Sequence, residues 1–143
     1  MITFRIGNIY RSYPDNRQLE SDYLNAIANT ECDFGLTVKS ETLLKEKHWN
    51  LVEFVEQLLK WKSNGMDNSF IYDCMDSEEV LFTVRKEGEE FRMFSNTELI
   101  KESELLTRTK IEDFIERLKI ETIQKIKQQF KIDLTTINEL EIK

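Results

Sequence analysis

One segment of this chain leaves little choice of structure. From Leu51 to Ser63 the apolar residues Leu51, Phe54, Val55, Leu58, Leu59 and Trp61 recur at helical spacing, and Glu53, Glu56, Lys60 and Lys62 lie mostly off that stripe. Asn50 stands where an N-cap accepts from the amide of Glu53, and Glu53 stands where a capping box reaches back. Trp49 and Phe54 have the spacing of a hydrophobic staple, and Gly65 supplies the C-terminal stop. The pattern predicts a helix over residues 51–63. A single short helix with so broad an apolar stripe is not stable alone in water, so the rest of the chain must cover it.

A second helix follows later. Ile111, Phe114, Ile115, Leu118, Thr122, Ile123, Ile126 and Phe130 trace one face, with Ile120 off it. Its start has two candidates: Thr109 in a capping box with Glu112, or Thr107 with Leu106 and Ile111 as the staple. Elsewhere the period is two. Ile2, Phe4 and Ile6 alternate with Thr3 and Arg5, and Phe34, Leu36 and Val38 alternate with Gly35 and Thr37. We read residues 33–44 as extended with an irregularity at Ser40–Glu41. Residues 70–72 form a short strand. Residues 80–86 and 90–95 form a hairpin that turns at Glu87-Gly88-Glu89. Residues 97–106 read as a loop with one helical turn, residues 21–29 as short helix or strand, and residues 132–143 as a final strand or docked extension.

No period repeats, and with 4 Gly and 1 Pro in 143 residues no linker divides the chain. The expectation is therefore a single domain over residues 1–143 of α+β class: a mainly antiparallel sheet with two principal helices packed on one face. No apolar run is long enough to cross a bilayer, and the opening Met1-Ile2-Thr3-Phe4-Arg5 lacks the apolar stretch of a secretion signal. Cys32 and Cys74 are too few for a disulfide scaffold and read as buried free thiols. A cytoplasmic protein with no membrane partner is expected.

The charge is unevenly placed. Residues 66–104 hold eleven acids against four bases, an excess equal to the whole formal net charge of −7. Such a stretch repels phosphate backbones, so nucleic acid is not the expected partner. It attracts a basic protein and speeds the encounter, or it is simply a solvated face that aids solubility.

Chemical signatures are sparse. The chain has neither a phosphate-binding glycine loop nor a nucleophile elbow. His48 is the single histidine and reads as structural rather than as a general base; no cofactor is expected. Asp73, Asp76, Glu78 and Glu79 form the densest carboxylate link. Four carboxylates suit a hard cation or an acid/base pair, although the spacing is not that of an EF-hand loop. With Glu87, Glu89 and Glu90 they also suit a partner-binding surface.

The run Trp49-Asn50-Leu51-Val52-Glu53-Phe54-Val55-Glu56-Gln57-Leu58-Leu59-Lys60-Trp61, followed by Phe70-Ile71-Tyr72-Asp73-Cys74-Met75-Asp76-Ser77-Glu78-Glu79, resembles small single-domain proteins of low-GC Gram-positive bacteria. Small acidic α+β proteins of this sort are similar to the immunity proteins of polymorphic-toxin and contact-dependent inhibition systems. The resemblance implies a non-enzymatic inhibitor whose partner is a cognate toxin, often a basic nuclease. It assigns no individual contact residue. Two other readings stay open: an enzyme that uses carboxylates and a divalent metal around residues 73–79, and an adaptor or regulatory domain. Ile120 and the apolar tail suit a homodimer contact as well as a core.

Overall fold

The computed structural model describes residues 1–11, 30–74, 77–97 and 100–130. Seven strands and two helices run through them. The strands are β1 (Ile2–Arg11), β2 (Thr30–Val38), β3 (Glu41–Asn50), β4 (Phe70–Ile71), β5 (Phe82–Glu87), β6 (Glu90–Asn96) and β7 (Ile100–Leu106). The helices are α1 (Leu51–Ser63) and α2 (Arg108–Phe130). The fold is α+β. All strand pairs are antiparallel, in two sheets ordered β1-β2-β3 and β4-β5-β6-β7. The single sheet of the sequence reading is thus split. β3 and β7 lie side by side without pairing, and two ion pairs cross this seam: Lys39 with Glu104 at 3.4 Å and Lys101 with Glu41 at 3.3 Å.

The first sheet begins as its alternation requires. Ile2, Ile6 and Ile9 of β1 and Cys32, Phe34, Leu36 and Val38 of β2 are buried. The extended run read over residues 33–44 is a hairpin: Val38 pairs with Glu41, and Lys39 takes a left-handed φ of 58° to close the turn. β3 then continues to Asn50, past the expected end. Two irregularities in its register hide it from a period-two search, and they bury the consecutive Leu43 and Leu44 while Lys45 and Lys47 stay exposed.

α1 occupies the predicted residues, and its cap differs from the expectation. Asn50 makes no side-chain cap; its Nδ2 donates to the Cys74 thiol at 3.4 Å. The staple does form, with the Trp49 and Phe54 rings 5.3 Å apart. Gly65 sits at φ 98° beyond the helix, a conformation that glycine takes without strain. Phe54 is the hub of the core. Its ring meets Tyr72 at 5.0 Å, Phe82 at 5.5 Å, Phe34 at 5.8 Å and Phe70 at 6.3 Å, so one side chain touches both sheets.

β7 replaces the loop expected at residues 97–106. Only Ser103 and Leu106 of this strand are buried, so it carries no apolar alternation. Ser103 Oγ accepts from the Met93 amide and donates to the Glu104 carbonyl, standing in for a regular ladder bond where the β6–β7 register shifts. α2 starts at the Thr107 candidate: Thr107 Oγ1 accepts from the Lys110 amide at 3.3 Å. Ile111, Phe114, Ile115, Leu118 and Ile126 bury the predicted stripe, and Ile120 lies exposed off it. The two helices pack on each other, α1 on β2 and α2 on β1 and β6. α2 also reaches the outer edge of β1, where Arg117 Nη2 donates to the Ile2 carbonyl at 2.7 Å and Gln129 Nε2 to the Ile9 carbonyl at 3.0 Å. The ambiguous residues 21–29 and the tail 132–143 lie outside the described residues.

Candidate protein-binding face

Because the helices cover one side of the strands, the second sheet has an outer face, and its register fixes what that face presents. Ile71, Thr83, Phe94 and Glu102 lie in one row across β4, β5, β6 and β7. Arg85, Arg92 and Leu105 form the next row, and Asn96 and Ile100 continue the face on the other side. Four apolar side chains therefore gather there, and three are open to solvent: Ile71 at 57 %, Ile100 at 70 % and Leu105 at 38 %. Phe94 is half-buried, with the Arg85 guanidinium 5.6 Å from its ring centre. Val80, at the entry to β5, is exposed too.

The acids singled out in the sequence flank this face from two directions. Asp73, Glu78 and Glu79 belong to the link that enters β5, and all three are exposed. Glu87, Glu89 and Glu90 belong to the opposite end, at the β5–β6 turn. β5 has six residues, so at ~3.4 Å per residue the two groups stand roughly 20 Å apart. One sequence window thus becomes two acidic rims. Glu87 is not a free charge: Arg92 Nε donates to its Oε2 at 3.1 Å, and Arg85 lies 3.9 Å away. Asp76 lies outside the described residues.

The first rim is held rigidly. Gln57 of α1 clamps the main chain of Asp73 twice, donating to its carbonyl at 2.8 Å and accepting from its amide at 2.9 Å. Tyr72 donates its hydroxyl to Glu53 Oε1 at 2.8 Å, inside the core. Burial, with the Glu53 carboxylate beside it, pushes that phenol far above its ordinary range. Ser77 Oγ accepts from the Glu79 amide at 3.1 Å and completes a tight turn. The Gln57 and Tyr72 anchors are not readable from the sequence, because their partners lie 16 and 19 positions away. Among the described residues no three His, Cys, Asp or Glu side chains form a metal-binding group.

His48 sits elsewhere, on the outer face of the first sheet. Its side chain is 67 % exposed, and a φ of 59° accompanies the β3 irregularity. Its Nδ1 lies 3.3 Å from Glu31 Oε1, and its ring lies 5.5 Å from Tyr10, whose hydroxyl donates to Asp33 at 3.1 Å. This cluster of Tyr10, Glu31, Asp33 and His48 went unseen in the sequence because three strands contribute to it. The described middle-third acids do not join it. Cys32 and Cys74 are both buried free thiols; burial pushes Cys32 up to about 12, with Asp33 adding to the effect.

Over residues 2–129 the sequence matches a family described as a domain of unknown function (DUF7878). The chain belongs to this family. No curated protein and no solved structure matches it. No described helix is long and apolar enough to cross a membrane.

Proposed function

We propose that this domain is an immunity-type protein that binds and neutralises a cognate bacterial toxin domain of basic character. The observation that carries the reading is the outer face of the second sheet. Ile71, Ile100 and Leu105, open to solvent, and half-buried Phe94 form an apolar centre among the described residues, and acids stand at both ends. Stable protein interfaces have this anatomy: a desolvated apolar middle and a charged rim. The middle supplies the lifetime of the complex, and the rim supplies speed of approach and choice of partner. Asp73, Glu78, Glu79, Glu89 and Glu90 are the steering charges. Glu87 is already matched by Arg92 and holds the sheet face together instead.

The test is co-expression with the protein encoded by the adjacent gene, which the reading requires to be a growth-inhibiting toxin. The wild-type chain should restore growth and co-purify with that protein. Ile71→Asp and Phe94→Asp should each weaken the complex by about tenfold or more while leaving the circular dichroism spectrum intact. Reversing Asp73 and Glu79 to lysine should slow association, and added salt should erase the difference. Failure to rescue growth together with failure to form a complex would overturn the reading.

A further inference from the structure

The outer face of the first sheet carries a different feature, independent of the protein-binding reading. Arg5, Gly35 and Lys45 occupy one row across β1, β2 and β3. Strands lie ~4.8 Å apart, so the two cations flank a gap of roughly 10 Å that holds no side chain. Lys47 follows Lys45 on the same face, and Gly7 and Asp33 lie alongside. Together with Phe34 and Glu46 these residues line an open recess of about 530 Å³, within the range of small-molecule sites.

Two observations show that this recess is more than a gap in the surface. The first concerns the glycines. Gly7 has a packing reason to be glycine, because a Cβ there would lie 3.0 Å from Asp33 Cβ. Gly35 has none. Its φ is not positive, and an added Cβ would meet only the Leu44 carbonyl oxygen at 3.8 Å and Arg5 Cβ at 4.0 Å, both ordinary contacts. A glycine inside a strand weakens the strand and often marks a place where something else comes close to the backbone. The second concerns charge. Most lysines and arginines among the described residues form ion pairs, including Lys39, Lys62, Arg85, Arg92, Lys101, Arg117 and Lys119. Arg5, Lys45 and Lys47 form none among those residues, as is also true of Lys86, Lys110 and Lys127, but only these three of the six line one recess. Two carboxylates share the recess: Asp33, which accepts from the neutral Tyr10 hydroxyl, and Glu46, which has an interaction of its own; the three cations outnumber them.

We propose that this recess binds a small phosphate monoester, its phosphate seated over Gly35 between Arg5 and Lys45 with Lys47 alongside. Three cations against two carboxylates leave the recess net positive, which suits an anionic group, and a guanidinium offers that group paired donors. Asp33 is placed to accept from a hydroxyl on the ester. A long polyanion is disfavoured, because it also meets Glu31, Asp33 and Glu46 on this face.

The test is a titration of the full chain with ribose 5-phosphate at low salt, read by the amide resonances of Gly7 and Gly35, with ribose as the control. Ribose 5-phosphate should shift both resonances saturably, and ribose should not. Lys45→Gln and Arg5→Gln should each raise the dissociation constant about tenfold or more. Gly35→Val fills the floor of the recess with a strand-favouring side chain, so it should abolish binding while the melting temperature holds or rises. Absence of a saturable shift in the wild-type chain would overturn the proposal. So would undiminished binding by Gly35→Val, whose melting temperature shows separately that it has folded.

Discussion

The two sheets share a layer plan and differ in what they show to solvent. Both turn an apolar face to the helices, and Phe54 touches both. Outward, the first sheet presents Arg5, Lys45 and Lys47 around a glycine floor, with Tyr10 and His48 nearby. The second presents Ile71, Phe94, Ile100 and Leu105 between acidic ends. The inner faces are constrained by a common core. The outer faces are constrained only by alternation, which says that a residue points outward and nothing about its chemistry. Two chemically opposite surfaces can therefore share one framework.

The largest effect should come from breaking what the sheets share. Phe54→Ala removes a fully buried ring and should destabilise the protein by about 3–5 kcal/mol in urea unfolding. Near- and far-ultraviolet dichroism should still lose signal together; separate transitions would show that the sheets are independent units. Next, Tyr72→Phe deletes the hydroxyl bonded to buried Glu53 beneath the second sheet and should lower stability by about 1–3 kcal/mol.

The first sheet has its own signature at alkaline pH. The folded Cys32 thiol sits near 12 against an ordinary 9, so between those values the folded state holds a proton that the unfolded state has released. Stability should therefore fall above pH 9, by at most about 1.4 kcal/mol per pH unit from this group. Melting scans from pH 8 to 11 should show a shallower decline in Cys32→Ala. Tyr72 acts in the same sense at still higher pH.

The smallest effect belongs to Glu116, which ties the helices. Its bond with Lys119, with Lys62 of α1 adding to it, holds this carboxyl below its usual range. That contribution is present above the ordinary carboxylate range and is lost as pH falls through the lowered value. Glu116→Gln should cause a slight loss of stability at pH 7 that shrinks as the pH is lowered below the ordinary carboxylate range, measured by thermal melting; its exposure to solvent keeps the effect small.

Much of this architecture was legible wherever burial and period coincide. β1, β2, α1, the β5–β6 hairpin and the buried stripe of α2 announce themselves because one face of each is apolar. β7 did not, because its exposed face holds Ile100 and Leu105 while its buried face includes Ser103. β3 was cut short because its register shifts break the alternation. The acids of residues 66–104 looked like one patch, yet an antiparallel hairpin sends sequence neighbours to opposite ends of a sheet. The recess was hidden for the converse reason. Arg5, Gly35 and Lys45 are far apart in sequence, and only strand pairing sets them in one row.

The side chains that α2 lays along β1 have a consequence for the protein in a crowd. The border strand of a sheet invites a passing chain to extend it, and stacking of that kind seeds fibrils. Here a newcomer must first dislodge Arg117 from the Ile2 oxygen and Gln129 from the Ile9 oxygen. The helix thus works as a latch on this margin, and releasing it by Arg117→Ala with Gln129→Ala would open the β1 carbonyls to a second chain.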